Sequence, residues 1–260
     1  MSWDPGQYLT FAHERLRPAL DLLARIPLAA PGAIVDLGCG AGNVAQVLAA
    51  RWPEAAITGV DGSAEMLAAA RVATKGDTRF TWLESDLANF APAAPPDLVY
   101  SNAALHWLDD HATLFPRLLA SVAPGGALAV QMPDNFGAPS HALLFDVALG
   151  ARWRDRLAAH VRAHPVAAAM DYARWLGAAT AQDVWATEYL QLLPAARGGE
   201  HPVVAWMKGA ALTPFLAALD ADARPRFVAD YAARIATAYP PLPDGRVPFP
   251  FRRRFIVALR

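Results

Sequence analysis

The chain has 260 residues, a formal net charge of −1, and 55% hydrophobic against 18% charged residues. That balance supplies a sizeable core and excludes a disordered chain. It also gives no basic excess for nucleic acid or an anionic membrane. The single cysteine, Cys39, excludes an internal disulfide and fits a reducing compartment. The start, MSWDPGQYLTFAHERLRP, lacks the apolar core of a secretory signal, and no apolar run reaches the ~18 residues of a spanning helix. The expectation is a cytoplasmic protein.

Residues 7–25 carry apolar and charged positions at helical spacing, with Pro18 expected to divide two short helices. AIVDLG (33–38) is a short apolar run ending in an acid and a glycine, which predicts a buried strand. Helix is expected over 43–52, strand over 55–61, helix over 63–71 with Ser63 as its cap, and strand over 79–86. DLVYSN (97–102) predicts a fourth strand. A helix follows over 113–122 with Pro116 in its first turn, then a fifth strand over 127–132. Strands alternating with helices of this length form βαβ units around a parallel sheet. Further on, helix is expected over about 140–178 and 200–239, broken by Pro214 and Pro225, with strands at 184–192 and 249–259. The insertion between these late strands is too long for a hairpin loop and suits a helical cap for the substrate.

Gly38-Cys39-Gly40-Ala41-Gly42-Asn43 stands between the first strand and the helix after it. Glycines let such a turn pass close to a ligand and leave amides free at the helix start. A dinucleotide fingerprint needs its last small residue at position 43, where Asn43 stands, and this weighs against a pyrophosphate and a nicotinamide dehydrogenase. Asp36 suits a ligand with an ammonium group and would repel a phosphate. Asp61, ending the second strand, can accept both hydroxyls of a ribose, and Asp86 can accept from an adenine amino group. Each acid alone reads equally well as a helix cap or a loop residue. Three of them at the ends of successive parallel strands favour a ligand site. Cys39 reads as a small buried residue, since a catalytic thiol has no evident activating partner.

VDLGCGAGN, GVDGSAEML, SDL and PGGALAVQMP, at this spacing, resemble the class I S-adenosylmethionine-dependent methyltransferases over about residues 30–133. The opening segment, SNAALHWLDDH, QMPDN and FRRRFIVALR extend the likeness over nearly the whole chain, to members that methylate trans-aconitate. The resemblance implies a Rossmann-like α/β fold. Its sheet has seven mostly parallel strands with the last antiparallel, and the whole is a single domain with a helical cap. It implies that Asp36, Gly38 and Gly40 line the methionine and ribose end of S-adenosyl-L-methionine. Asp61 would bind the ribose, Asp86 and Leu87 the adenine, and Asn102 would lie near the transferred methyl. Tyr8 belongs to a segment that would fold over the cofactor, while His106 and Trp107 would line the way to the acceptor.

The implied reaction esterifies a carboxylate, which is already ionised at neutral pH, so no residue is assigned as a catalytic base. His106 reads better as a packed pocket residue than as a base. A small polycarboxylate needs cations for its unreacting carboxylates, and arginine matches a carboxylate with two bonds. Alternation along the last strand sends Arg253 to one face with Phe251 and Phe255, and Arg252 and Arg254 to the other. Arg253 also falls where the family's motif has its arginine. A surface-charged last strand is the plainer alternative. His13, Arg174 and Lys208 read more readily as surface charge, and Trp206, Phe215 and Tyr231 as core of the cap. No metal site is expected, because the histidines lack ligand spacing with cysteine or acids. Two further readings stay open: a methyltransferase for another small or carrier-bound acyl acceptor, and a non-catalytic binding protein on the same scaffold.

Overall fold

The computed structural model describes residues 12–162, 164–194 and 199–260; Tyr8 lies outside the described residues. Two compact units emerge. One comprises Arg15–Pro133, Pro165–Thr187 and Arg253–Arg260 and carries most of a sheet; the other is built mainly from Asp134–His164 and Glu188–Arg252.

The seven-stranded sheet contains β1 (Ala33–Leu37), β2 (Ala56–Asp61), β3 (Phe80–Glu84), β4 (Leu98–Asn102), β5 (Ala127–Pro133), β6 (Ala181–Leu193) and β7 (Val247–Leu259). Its order is β3-β2-β1-β4-β5-β7-β6. The pairs β1–β2, β1–β4, β2–β3 and β4–β5 are parallel, and β7 runs antiparallel to β5. The sheet is therefore the one expected above, seven-stranded and mostly parallel with its last strand antiparallel. Central strands such as LVYSN and ALAVQMP are apolar because helices cover both faces. Edge strand β3, by contrast, leaves Thr81, Leu83 and Glu84 exposed.

Register fixes which side chains share a face. Asp36 pairs with Tyr100, Asn102 with Gln131, Gln131 with Phe255, and Pro133 with Arg253. Since paired residues point the same way and alternate residues return to one face, Asp36, Asn102, Gln131, Phe255 and Arg253 form one row. On the opposite face Leu37, Val99, Leu128, Val130 and Ile256 pack against Leu114, Phe115, Leu118 and Tyr172.

Three prolines behave differently from expectation. Pro18 lies inside one continuous helix, α1 (Ala12–Ala24). An interior proline costs about 3 kcal/mol. Burial of Leu22 and Leu23 contributes roughly 1.5–3 kcal/mol each, which is enough to keep the helix whole. The helix after β4, His111–Ser121, begins earlier than predicted and so holds Pro116 beyond its first turn. Leu114, Phe115, Leu118 and Leu119 on its buried face hold it together. Pro225 does not break its helix, Ala223–Ala238, because it is the third residue, where no intrahelical acceptor awaits its missing N–H. Nor is 140–178 a continuous helix: it comprises Pro139–Leu149, a turn of helix at Arg154–Leu157, and Ala169–Trp175. Gly150, with extended ψ of 153°, ends the first of these.

The second unit has its own core, in which Leu144, Trp153, Trp206, Phe215, Phe227, Tyr231 and Phe249 are buried together. No helix among the described residues is long and apolar enough to cross a membrane.

Candidate functional site

The glycine-rich turn leaves β1 under tight backbone constraints. The amides of Gly38 and Cys39 both donate to the Val60 carbonyl, at 2.8 and 3.1 Å, tying the turn to the end of β2. Gly38 has φ +76°, and a Cβ there would stand 2.1 Å from that of Ala104. Its crowding thus comes from the loop after β4. Gly40, at φ +54°, is different: among the described residues a Cβ would meet nothing within 4 Å, leaving room there for a ligand. Gly42, at φ +79°, starts the helix Asn43–Arg51, and Gly42 and Gly59 both make way for the Trp82 ring. Gly38→Ala is expected to destabilise the protein by about 3 kcal/mol, combining left-handed strain with overpacking. Gly40→Ala should cost about 1–2 kcal/mol, from strain alone. Urea unfolding of the two variants checks this order, and a Gly38→Ala protein as stable as Gly40→Ala would contradict it.

Asp36 is 1% exposed. Its Oδ2 is buried and has no hydrogen-bond partner among the described residues. Burial, and then the neighbouring Asp61 carboxylate, push its pKa up from 3.8 to about 7. A buried carboxylate with a spare oxygen is complementary to a cationic N–H donor such as an ammonium. Asp61 closes the turn, accepting from the Gly40 amide through Oδ2 and from the Ser63 amide through Oδ1, both at 2.9 Å. Each oxygen keeps a lone pair for a further donor. Asp86 is exposed and shapes its own loop, accepting from the Ala88 amide at 3.0 Å and Asn89 Nδ2 at 2.8 Å. That is the loop role foreseen for such an acid, though its remaining lone pairs can still serve a ligand. Leu87 Cδ1 lies 3.5 Å from where a Gly38 Cβ would be, which sets it beside the turn.

Asn102 ends β4, and its buried Oδ1 also lacks a partner among the described residues. Ala103 follows at φ +55°, unusual for a residue with a Cβ, and donates its amide to the Gln131 carbonyl at 2.8 Å. Strain of this kind gathers at functional loops. The 3₁₀ turn Leu105–Trp107 comes next, with His106 buried and tilted against Trp107 at 4.8 Å. The chain anchors this turn through His111, an unforeseen contact. His111 Nε2 lies 3.0 Å from the Leu105 carbonyl and Nδ1 lies 2.7 Å from the Tyr172 hydroxyl. A neutral imidazole protonated at Nε2 satisfies both.

On β7, Arg253 is 6% exposed, as the alternation predicted, but Arg254 is 7% exposed and buried too. Ile256 and Ala258, on the same face as Arg254, join the core with Leu114, Phe115 and Leu118, so that side of the strand is buried too. Arg252 is exposed and pairs with Asp134 at 3.3 Å. Of the weaker candidates, Arg174 pairs with Asp171 at the surface and Lys208 with Glu200. Trp206, Phe215 and Tyr231 are core. His13 falls in α1, where side-chain detail lies outside the described set. Cys39 is buried, and burial together with Asp36 drives its thiol pKa far up, so it is inert. Among the described residues no cluster of histidine, cysteine and acids could hold a metal.

One side chain in the row went unread in the sequence. Gln131, inside an apolar strand, is 0% exposed, and neither amide atom has a partner among the described residues.

A family model described as "Methyltransferase domain" matches residues 8–184. A protein of Methylobacterium nodulans named trans-aconitate 2-methyltransferase is 51% identical, over 99% of this chain and 98% of its own. One of the same name from Azoarcus sp. is 46% identical, over 100% and 99%. Among solved structures, the YcgJ protein of Bacillus subtilis aligns with a TM-score of 0.61 at 15% identity, covering 94% of this chain and 98% of that one. Phosphoethanolamine N-methyltransferase 2 of Haemonchus contortus in complex with S-adenosyl-L-methionine gives 0.58 at 19%, covering 98% and 56%. At those identities the two structures speak to the fold alone.

Proposed function

The chain belongs to the trans-aconitate 2-methyltransferase family, and we propose that it methylates a carboxylate of trans-aconitate, or a similar small polycarboxylic acid, to a monomethyl ester. The observation that carries the reading is the row on one sheet face. It has a carboxylate suited to an ammonium at one end, Asp36, and a buried guanidinium suited to a carboxylate at the other, Arg253.

The residues fit S-adenosyl-L-methionine. Asp36 Oδ2 would take the methionine ammonium, and the space at Gly40, beside Gly38, would admit the methionine and ribose end. Asp61 would accept from the ribose hydroxyls, Asp86 and Leu87 would flank the adenine, Asn102 would lie near the methyl, and Tyr8, outside the described residues, would belong to the segment that covers the cofactor. When bound, the cofactor would supply an electrophilic methyl on a sulfonium, which a carboxylate oxygen would accept while the sulfur keeps the electron pair of the C–S bond. No proton moves, so the chain supplies alignment and exclusion of water rather than a base. His106 and Trp107 line the acceptor's approach, and Arg253 holds a carboxylate that does not react. The chain acts as one methyltransferase domain whose helical insertions select the acceptor. It works in the cytoplasm on a small molecule, without nucleic acid or membrane.

Incubating the protein with methyl-labelled cofactor and a panel of acids tests this. The panel would hold trans-aconitate, cis-aconitate, citrate, a monocarboxylate and an acyl-carrier thioester bearing a free carboxylate. Base-labile label is expected in the unsaturated tricarboxylate. Label only in the carrier-bound acid, or in none despite cofactor binding, would sink the proposal.

A further inference from the structure

Gln131 is a puzzle of physical chemistry. Every other side chain of β5 is apolar, in ALAVQMP, and an interior amide with no partner among the described residues is penalised relative to an aliphatic group of its size. Its main chain is not the reason, because its carbonyl is already engaged by the Ala103 amide. Its place supplies one. Gln131 pairs with Asn102 on one side and with Phe255 on the other, and Arg253 is the next residue of the same row. Phe255 is itself walled by Trp185, stacked on it at 4.8 Å. The amide therefore sits between the methyl-proximal Asn102 and the cation that takes an unreacting carboxylate.

We infer that Gln131 holds the reacting carboxylate of the acceptor, its Nε2–H donating to one oxygen so that the other faces the methyl. This rests on the carboxyl-methylation reading above and adds the residue that orients the nucleophile. The choice of a neutral donor follows from the charge change. An anionic carboxylate and a cationic sulfonium become a neutral ester and a neutral thioether, so negative charge on the carboxylate is lost on the way to the transition state. A guanidinium on the reacting carboxylate would stabilise the ground state more than the transition state and slow the reaction. An uncharged amide orients the oxygen with far less of that bias. Arg253, one step along the row, can hold a carboxylate whose charge does not change. The two residues divide binding from orientation.

Steady-state kinetics of Gln131→Met and Gln131→Glu at saturating cofactor decide it. Methionine matches the volume and removes the donor. On trans-aconitate, kcat is expected to fall up to about 100-fold, from lost orientation of the attacking oxygen. KM and calorimetric affinity for S-adenosylhomocysteine should stay within about twofold. A buried glutamic acid donates only when protonated, so the Gln131→Glu activity relative to wild type should rise as pH falls from about 8 to about 6. An unchanged kcat in Gln131→Met, or a flat Gln131→Glu ratio, overturns the inference. So does loss of S-adenosylhomocysteine binding in Gln131→Met, which would make the amide part of the cofactor site or the fold. A wild-type protein that esterifies no small acid overturns the underlying reading and this inference with it. An active wild type with an equally active Gln131→Met overturns this inference alone.

Discussion

Asp36→Asn should produce a protein that is more stable than wild type without cofactor at pH 8 and that binds the cofactor at least about 100-fold more weakly. Both effects come from one buried carboxyl. Its pKa is raised to about 7, first by burial and then by Asp61. Tyr100, paired with it on β4, and the Cys39 thiol are pushed far above their usual ranges, so both stay protonated, and Asp36 is the group that titrates. Below pH 4 the folded and unfolded chains both hold the proton. Between about 4 and 7 the unfolded chain has lost it and the folded chain keeps it, so stability falls as pH rises. Above 7 the penalty is complete, and at 1.36 kcal/mol per unit it amounts to roughly 4 kcal/mol. Wild-type melting temperature without cofactor should therefore drop by about 5 °C between pH 5 and pH 8, and the asparagine variant should lack that drop. Cofactor binding runs the other way. The ammonium needs the ionised carboxylate, so wild-type affinity should weaken about tenfold per pH unit below 7, with release of a proton on binding. Titration calorimetry in two buffers of different ionisation heat measures both. A wild-type affinity flat from pH 6 to 8, with no proton release, would remove Asp36 from the ammonium.

The cofactor half was readable because its signals are local. A strand such as AIVDL is an apolar run, its end is marked by Gly38, and the acids Asp36 and Asp61 stand at fixed offsets from that turn. Period-two alternation likewise predicted the buried Arg253 from FRRRF. Misjudged features depended on tertiary packing. Pro18 and Pro116 carry a strong local penalty, and only the buried leucines of their helices, invisible as burial in a sequence, outweigh it. Alternation set Arg252 and Arg254 on one face, but it could not tell that Arg254 is buried there while Arg252 is exposed. Gln131 was passed over for a related reason. One glutamine in an apolar strand carries no spacing pattern, and its significance rests on the register that sets it between Asn102 and Phe255. The need for glycine at position 38 was legible, but one packing reason for it was not: Ala104, more than sixty positions along the chain, stands where a Cβ would be.

Replacing Arg253 separates the acceptor from the cofactor. Arg253→Met keeps an unbranched apolar stem while removing the charge and the two-bond fork. The buried guanidinium lies in the same row as Asp36, Asn102 and Gln131. Truncating one side of a buried charge pair typically costs 2–5 kcal/mol, or a factor of about 30 to several thousand. That loss should appear as a raised KM for trans-aconitate, because the carboxylate it holds keeps its charge throughout the reaction and contributes equally to ground and transition states. Calorimetric affinity for S-adenosylhomocysteine should be unchanged, since Arg253 lies at the far end of the row from Asp36. Arg253→Lys should recover only part of the loss, a point charge replacing a planar fork. The pattern is the reverse of that expected for Gln131→Met, where kcat falls and KM holds. If Arg253→Met left KM for the tricarboxylate unaltered while activity persisted, the acceptor would be held elsewhere, and a carrier-bound or uncharged acceptor would become the better account of this site.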